Sequence, residues 1–256
     1  MCTLIVLDRL VPGYPLIAAA NRDEFYARPA SAPRLLSAAP RIVGPRDEVA
    51  GGTWIGVGEG GLFAGLTNRP DGEPRDPSRR SRGEVTLQAL RGPTVSRTLE
   101  AFGALPPRIY NGFHLYCAGP DGAGLVVYGP EAAVTPVAPG LHVITNHGMD
   151  LEGDPKTTRI RERLGNLRNL KSAEEVFARL EGTLRDHAGE NLLERVCIHG
   201  ESYGTRSGSL IALHESDPDR SWYLHAEGRP CQTPWADASA LLSSAPARAW
   251  AAGGIP

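Results

Sequence analysis

The sequence predicts one domain of the α+β class, in which antiparallel sheet dominates and helices are inserted midway. Three observations predict it. Short apolar runs recur along the chain and are joined in pairs by Pro- or Gly-containing turns, the mark of hairpins. Two middle segments carry helix-start signals, one followed by helically spaced apolar residues. The 256 residues, 41% hydrophobic, can bury a sizeable core, and neither an internal repeat nor a clear linker divides them.

Taken in order, residues 2–8 and 15–22 are apolar runs about Val11-Pro12-Gly13-Tyr14, a hairpin. The Pro-, Arg- and Ala-rich stretch from about 25 to 41 reads as a loop. GGTWIGVGEGGLFAGLTN at 51–68 reads as two short strands about a glycine turn. Its literal G-x-G-x-x-G (Gly56, Gly58, Gly61) is followed by the apolar strand Leu62 to Leu66, not by the helix a dinucleotide site needs. Residues 70–82 form a charged loop with Arg75, Arg79, Arg80 and Arg82, either solvated or a site for an anionic substrate group. A helix follows from Gly83 to Leu90, then a hairpin over 114–129 and a strand over 140–146. Asp154-Pro155 supplies an N-cap and a proline at the first helical position, opening a helix to about Leu164. Ser172 and Glu175 form a capping box, with Val176, Phe177, Leu180 and Leu184 on one face. Strands are expected near 194–199, 208–214 and 221–226. The domain is expected to span 1–235, leaving an Ala/Ser/Pro/Gly-rich, loosely packed tail over 236–256.

Bulk properties exclude several classes. A net charge of -2 gives no electrostatic case for nucleic acid or an anionic membrane surface. No apolar run approaches the roughly 20 residues of a membrane span. MCTLIVLDRLVPG has no basic region before its apolar stretch, so it does not read as a secretory signal. Cys2, Cys117, Cys197 and Cys231 are far apart in sequence with no C-x-x-C pair. That spacing argues against a thiolate zinc site or a disulfide scaffold and fits a reducing cytosol. A cytoplasmic protein without metal or cofactor is the expectation.

Cys2 stands directly behind Met1. Methionine is usually removed before a small residue, and a terminal cysteine then offers a thiol to attack and an α-amine to take its proton. Four polar islands adjoin apolar strands: Asn21-Arg22-Asp23-Glu24, Asn68, Asn146-His147 and Arg206. Singly, each suits a strand end or a turn. Together they supply amide donors for an oxyanion, a carboxylate for an ammonium and an arginine to favour a thiolate.

The motif series Asn21-Arg22-Asp23-Glu24, GGTWIGV (51–57), LFAGLTN (62–68), Ser81-Arg82-Gly83, YNGFHLY (110–116), ITNHG (144–148) and YGTRSGSLIAL (203–213) resembles the NRDE family, which includes the Transport and Golgi organization protein 2 homologues. The resemblance runs from Met1-Cys2 to about residue 215. It implies a fold like that of the N-terminal nucleophile hydrolases, a four-layer αββα sandwich. It also implies an analogy to bile salt hydrolases and penicillin V acylases. On that pattern Cys2 is similar to the nucleophile and Asp23 to the residue orienting it. Asn68 and Asn146 are similar to the pair near the oxyanion, and Arg206 to the late arginine.

One departure matters: the arginine precedes the aspartate by three positions in those enzymes, whereas Arg22 and Asp23 are adjacent here. On a strand Asn21 and Asp23 share one face, and Arg22 and Glu24 the other. The reading favours Asn21 and Asp23 facing Cys2. Candidate catalytic residues are therefore Cys2, Asp23, Asn146 and Arg206, and candidate substrate-binding residues are Asn21, Arg22, Asn68, His147 and Trp54. The expected activity is hydrolysis, or acyl transfer, at an amide or ester bond of a small molecule. The alternative implied by the resemblance is a carrier for a hydrophobic ligand such as haem, an acyl-CoA or a lipid.

Overall fold

The first hairpin, β1 (Cys2–Val11) and β2 (Tyr14–Phe25), forms the centre of a six-stranded sheet in the computed structural model, which describes residues 2–70, 72, 74–165, 167 and 172–243. β10 (Gly140–Ile144) flanks β1, while β11 (Tyr203–Leu213), β12 (Trp222–Ala226) and the short β13 (Ala236–Asp237) continue beyond β2. A second, seven-stranded sheet runs in chain order. It comprises β3 (Ala30–Ala38), β4 (Arg41–Asp47), β5 (Ile55–Gly58), β6 (Phe63–Asn68), β7 (Phe113–Gly119), β8 (Gly122–Tyr128) and β9 (Ala132–Val137). Every neighbouring pair in both sheets is antiparallel.

The two-residue period of the strands sorts side chains into layers. Leu4, Val6, Leu16, Ala18 and Ile211 point between the sheets onto Val43, Ile55, Phe63, Tyr116 and Leu125. The alternate residues Ile5, Leu7, Ile17, Ala19 and Leu210 lie under α3 (Pro155–Leu164) and α4 (Ala173–Leu184), against Ile160, Leu164, Val176, Phe177 and Leu180. On the far side, Ala64, Leu66, Leu115 and Val126 pack beneath α1 (Arg82–Leu90) and α2 (Val95–Gly103), against Val85, Leu90 and Phe102. The result is the αββα sandwich. Each fully buried Leu, Ile or Phe in these layers contributes about 1.5–3 kcal/mol.

The helix starts follow their signals. Asp154 accepts from the Thr157 amide at 2.9 Å with Pro155 at the first helical position, and Ser172 accepts from the Glu175 amide at 3.2 Å. Three expectations are corrected. The stretch read as a loop up to residue 41 contains strand β3, and its Pro and Arg suit an edge strand that must not recruit another chain. Residues 194–199 form no strand: a single turn over Leu192–Glu194 leads into irregular backbone. The tail does not begin at 236. β13 pairs with β12, Leu242 on the short α5 (Ala240–Ser243) is buried between the sheets, and Arg41 donates to the Leu241 carbonyl at 2.8 Å. Residues 244–256 lie outside the described residues. Among the described residues, no helix is long and apolar enough to cross a membrane.

Candidate active site

The pairing of β1 with β2 fixes which side chains meet. Cys2 lies opposite Arg22, and Thr3 opposite Asn21. Directly opposed residues project to the same face of a sheet. Cys2 and Arg22 therefore point between the sheets, in line with Leu4 and Ala20, while Asn21 and Asp23 turn toward α3 and α4. The expectation that Asn21 and Asp23 face the thiol is thus reversed. Alternation alone gives two equivalent choices, and only the register between strands selects one.

Asn146 follows β10 and joins the two sheets at Cys2. Its Oδ1 accepts from the Cys2 nitrogen at 2.9 Å, and its Nδ2 donates to the Asn68 carbonyl, at the end of β6, at 2.6 Å. Beside it, the Thr67 hydroxyl donates to the Thr145 carbonyl at 3.0 Å. A peptide N–H at Cys2 can only donate and the Asn68 carbonyl can only accept, so the orientation of the Asn146 amide follows from its partners. Met1, whose removal would turn that nitrogen into an α-amine, lies outside the described residues.

Cys2 opens onto a cavity of about 410 Å³, lined also by Arg22, Trp54, Asn68 and Arg82. Arg22 is buried, and its guanidinium stacks 4.3 Å from the centroid of the Trp54 ring. Its Nη1 has no hydrogen-bond partner. Burial draws the Arg22 pKa below its ordinary value, and the nearby Cys2 and Glu24 draw it back up. The opposite wall is the Ser81-Arg82-Gly83 motif. Ser81 caps α1 by accepting from the Gly83 amide, and Arg82 donates to the Gly112 carbonyl at 3.1 Å. A Cβ on Gly52 would lie 2.4 Å from the Gly83 carbonyl carbon, so only glycine lets the loop before β5 lie this close to α1. That contact places Trp54 and Arg82 around one cavity. The rim carries the ion pairs Arg28–Asp47 at 2.7 Å and Arg79–Asp76 at 3.4 Å.

Behind Cys2, on the helical side, lies a second polar set. Asn21 donates to the carbonyls of Leu184 at 2.9 Å and Val196 at 2.8 Å. The Thr205 hydroxyl donates to Asp23 at 2.6 Å and accepts from the Ile198 amide at 2.8 Å. Lys156 is buried, with its Nζ 3.5 Å from the Thr3 hydroxyl. Burial pushes the Asp23 carboxyl up, opposed by the Lys156 charge, and burial pulls Lys156 down, opposed by Asp23.

Of the residues expected from sequence, Cys2, Arg22, Trp54 and Asn68 line the cavity, Asp23 contributes to its wall, and Asn146 ties its base. Arg206 does not come to it. Asp23 pairs with Thr205 but Arg22 with Ser207, which leaves Arg206 as the extra residue of a bulge, outside the lining. His147 turns away: its Nδ1 is 3.0 Å from Asp154, and it lines a separate cavity of about 200 Å³ with Lys156 and Leu193. Lys156 and Thr205 were missed as site residues, while Arg82, named in sequence only within a loop that is either solvated or a site for an anionic group, lines the cavity. Lys156 had a signal, since a cation in the first turn of a helix opposes the helix dipole and calls for a compensating partner.

The same architecture occurs in solved structures of other proteins. The Caenorhabditis elegans N-acylethanolamine-hydrolyzing acid amidase ortholog superposes with a TM-score of 0.56 at 15% identity, covering 82% of this chain and 92% of that one. A variant of the conjugated bile acid hydrolase from Clostridium perfringens gives 0.58 at 13% identity, covering 98% and 96%. At these identities the likeness establishes the fold. In sequence, the Transport and Golgi organization protein 2 homolog of Bos taurus is 29% identical over 233 residues, 78% of this chain and 82% of the relative. The homolog of Homo sapiens is 29% identical over 235 residues, with the same coverage. The profile of the Transport and Golgi organisation 2 family matches residues 1–223, and the chain belongs to that family.

Proposed function

We propose that the protein is an N-terminal cysteine hydrolase, or acyltransferase, acting on an amide or ester of a small polar molecule. The observation that carries this reading is the 2.9 Å hydrogen bond from the Cys2 nitrogen to Asn146, at the floor of the cavity that the same residue lines. Once Met1 is removed, this nitrogen is an α-amine held beside its own thiol. The amine takes the thiol proton, sulfur bonds to the acyl carbon, and collapse of the tetrahedral adduct breaks the bond to the leaving group, which takes the proton back. Water then attacks the thioester, releasing the acid and restoring the thiol. Acyl transfer replaces water with another acceptor.

The roles follow from the geometry. Asn146 uses its Oδ1 to orient the amine, so the Asn68 side chain is the amide assigned to the developing oxyanion. Arg22, opposite Cys2 in the strand pairing, supplies positive charge on the thiol's side of the cavity. Asp23 and Lys156 stiffen the sheet behind the nucleophile. Arg22 and Arg82 make no ion pair among the described residues, which favours an acyl donor with an anionic or strongly polar part over a hydrophobic cargo such as haem. The reading places the protein in the cytoplasm, where the thiol stays reduced.

The test is the intact mass of the protein before and after exposure to an acylating probe such as a penicillin. The expected result is a chain lacking Met1, with an adduct that disappears in Cys2→Ala. Retained Met1 with no adduct would overturn the mechanism.

A further inference from the structure

Outside the lining of the Cys2 cavity, the fold gathers four metal-ligand side chains that sequence spacing had kept apart. His187 follows α4, Cys197 and His199 lead into β11, and Cys231 follows β12. One ligand atom from each lies within 4.8 Å of all the others. The Cys197 and Cys231 sulfurs are 3.6 Å apart, and His199 Nε2 is 3.2 Å from Cys231 Sγ and 3.7 Å from Cys197 Sγ. Both cysteines are free thiols. We propose that His187, Cys197, His199 and Cys231 form a structural zinc site.

The distances suit that ion. Zinc–sulfur bonds of about 2.3 Å and zinc–nitrogen bonds of about 2.0–2.1 Å, arranged tetrahedrally, put sulfurs about 3.8 Å apart and sulfur and nitrogen about 3.5 Å apart. The donor set also suits it. Two thiolates neutralise the charge of a divalent cation, and a Cys₂His₂ set selects zinc over the harder magnesium and calcium, which take oxygen. His187 Nδ1 lies 3.2 Å from the Cys197 carbonyl oxygen, to which it can donate. That bond leaves Nε2 with the lone pair and fixes the ring, the usual support for a metal-bound imidazole.

The site also answers a structural need. Between α4 and β11 the chain runs through residues 185–202 with only one short helical turn, and residues 227–235 form a second irregular segment. Connections longer than about 12–15 residues are uncommon in compact domains without some further constraint. A cation bound by all four residues would fasten both segments to each other at the lead into β11. It would also stand next to the catalytic wall, because Ile198, between Cys197 and His199, donates to the Thr205 hydroxyl that holds Asp23. In sequence the spread of the cysteines argues against a thiolate zinc site; the fold brings Cys197 and Cys231 together and removes that premise.

The experiment is metal analysis of the tag-free full chain, purified with reductant and passed through gel filtration. The expected result is one zinc per chain, lost in Cys231→Ser and in His187→Ala and kept in Cys117→Ser, a thiol buried elsewhere. Cobalt added to the chelator-stripped protein is expected to give the visible spectrum of a tetrahedral ion and a thiolate charge-transfer band. If Cys231→Ser fails to fold, His187→Ala, which alters an exposed side chain, still reports through its cobalt spectrum. The proposal is overturned by wild-type protein that holds substoichiometric zinc and gives no cobalt–thiolate band. A Cys197–Cys231 disulfide in freshly isolated protein, or full zinc content in both ligand variants, would also overturn it. None of these outcomes depends on whether Cys2 is a nucleophile.

Discussion

Alternate residues at the open end of the β1–β2 hairpin build two faces that are finished in opposite ways. On the inward face, Cys2 and Arg22 border a cavity, Arg22 Nη1 has no hydrogen-bond partner, and its guanidinium stacks on Trp54. On the outward face, Asn21 gives its amide hydrogens to two carbonyls, and Asp23 is held by Thr205 close to the charge of Lys156. The inward residues keep bonding capacity free, which is what a site for a transient ligand requires. The outward residues have placed the Asn21 amide hydrogens and one Asp23 oxygen in the protein, while the buried Asn21 Oδ1 has no hydrogen-bond partner. A polar tetrapeptide that reads as a single functional motif is thus divided between chemistry and support.

The comparison breaks most readily at Asn21. Asn21→Ala leaves the carbonyls of Leu184 and Val196 without their donor, at roughly 1–3 kcal/mol for each unsatisfied group, so the loss of stability is expected to be about 4 kcal/mol. Denaturant titration measures it. The rate of Cys2 alkylation in the folded protein is expected to stay at the wild-type value. A stable variant with an unreactive Cys2 would mean that the outward face takes part in the chemistry.

A second expected effect, of about 3 kcal/mol, comes from acid. His114 pairs with Thr67 across β6 and β7, and the Thr67 hydroxyl supports the Thr145 carbonyl next to Asn146. Burial pulls the His114 pKa down to about 4 from an ordinary 6.5. Between those values the unfolded chain binds the proton and the folded one does not. Stability is therefore complete above pH 6.5 and falls as the pH drops toward 4, by about 3 kcal/mol in all. His114→Gln is expected to flatten this part of the stability–pH curve, measured by denaturation at successive pH values. An unchanged slope would assign the acid sensitivity to other groups.

The third effect tests the inward face directly. Arg22→Met keeps length and apolar contact with Trp54 but removes the charge opposite Cys2. A cation opposite the sulfur attracts the negative charge that a reacting thiol carries. Alkylation of Cys2, followed by peptide mapping, is expected to slow about tenfold in this variant. An unchanged rate would leave Arg22 with a role toward substrate alone.

How much of this was legible beforehand depended on whether the signal was local. Asp154-Pro155 and Ser172 marked their helices because a cap and its partner are three residues apart. The hairpins at Pro12-Gly13 and Asp121-Gly122 were readable from turn chemistry. Cys2, Asn68 and Asn146 were named from the motif series, and the fold brought them together. Register was not legible, because a strand shifted by one residue has the same alternation. Hence the reversal of Asn21 and Arg22, and the failure to see that a bulge displaces Arg206. The Cys197–Cys231 approach was hidden for a similar reason, since it depends on two connections that carry no pattern of their own. The Ala- and Ser-rich composition after residue 235 also masked a real strand and a buried Leu242.

The smallest effect gives the finest division of the inward face. Trp54 was expected to contact substrate, but in the structure its ring carries the Arg22 guanidinium at 4.3 Å and also borders the cavity. Stacking of a cation on an indole contributes about 0.5–1 kcal/mol at exposed sites and about 2 when desolvated, and a phenyl ring binds a cation less well. Trp54→Phe is therefore expected to slow Cys2 alkylation by a small probe about two- to fivefold, through a less firmly held Arg22. If Trp54 instead acts only on the substrate, the small-probe rate will not move, while KM for a turned-over amide or ester will rise. A change in alkylation rate that vanishes in the Arg22→Met background would show that the two residues act as one unit, with the indole as a positioning residue for the charge beside the thiol.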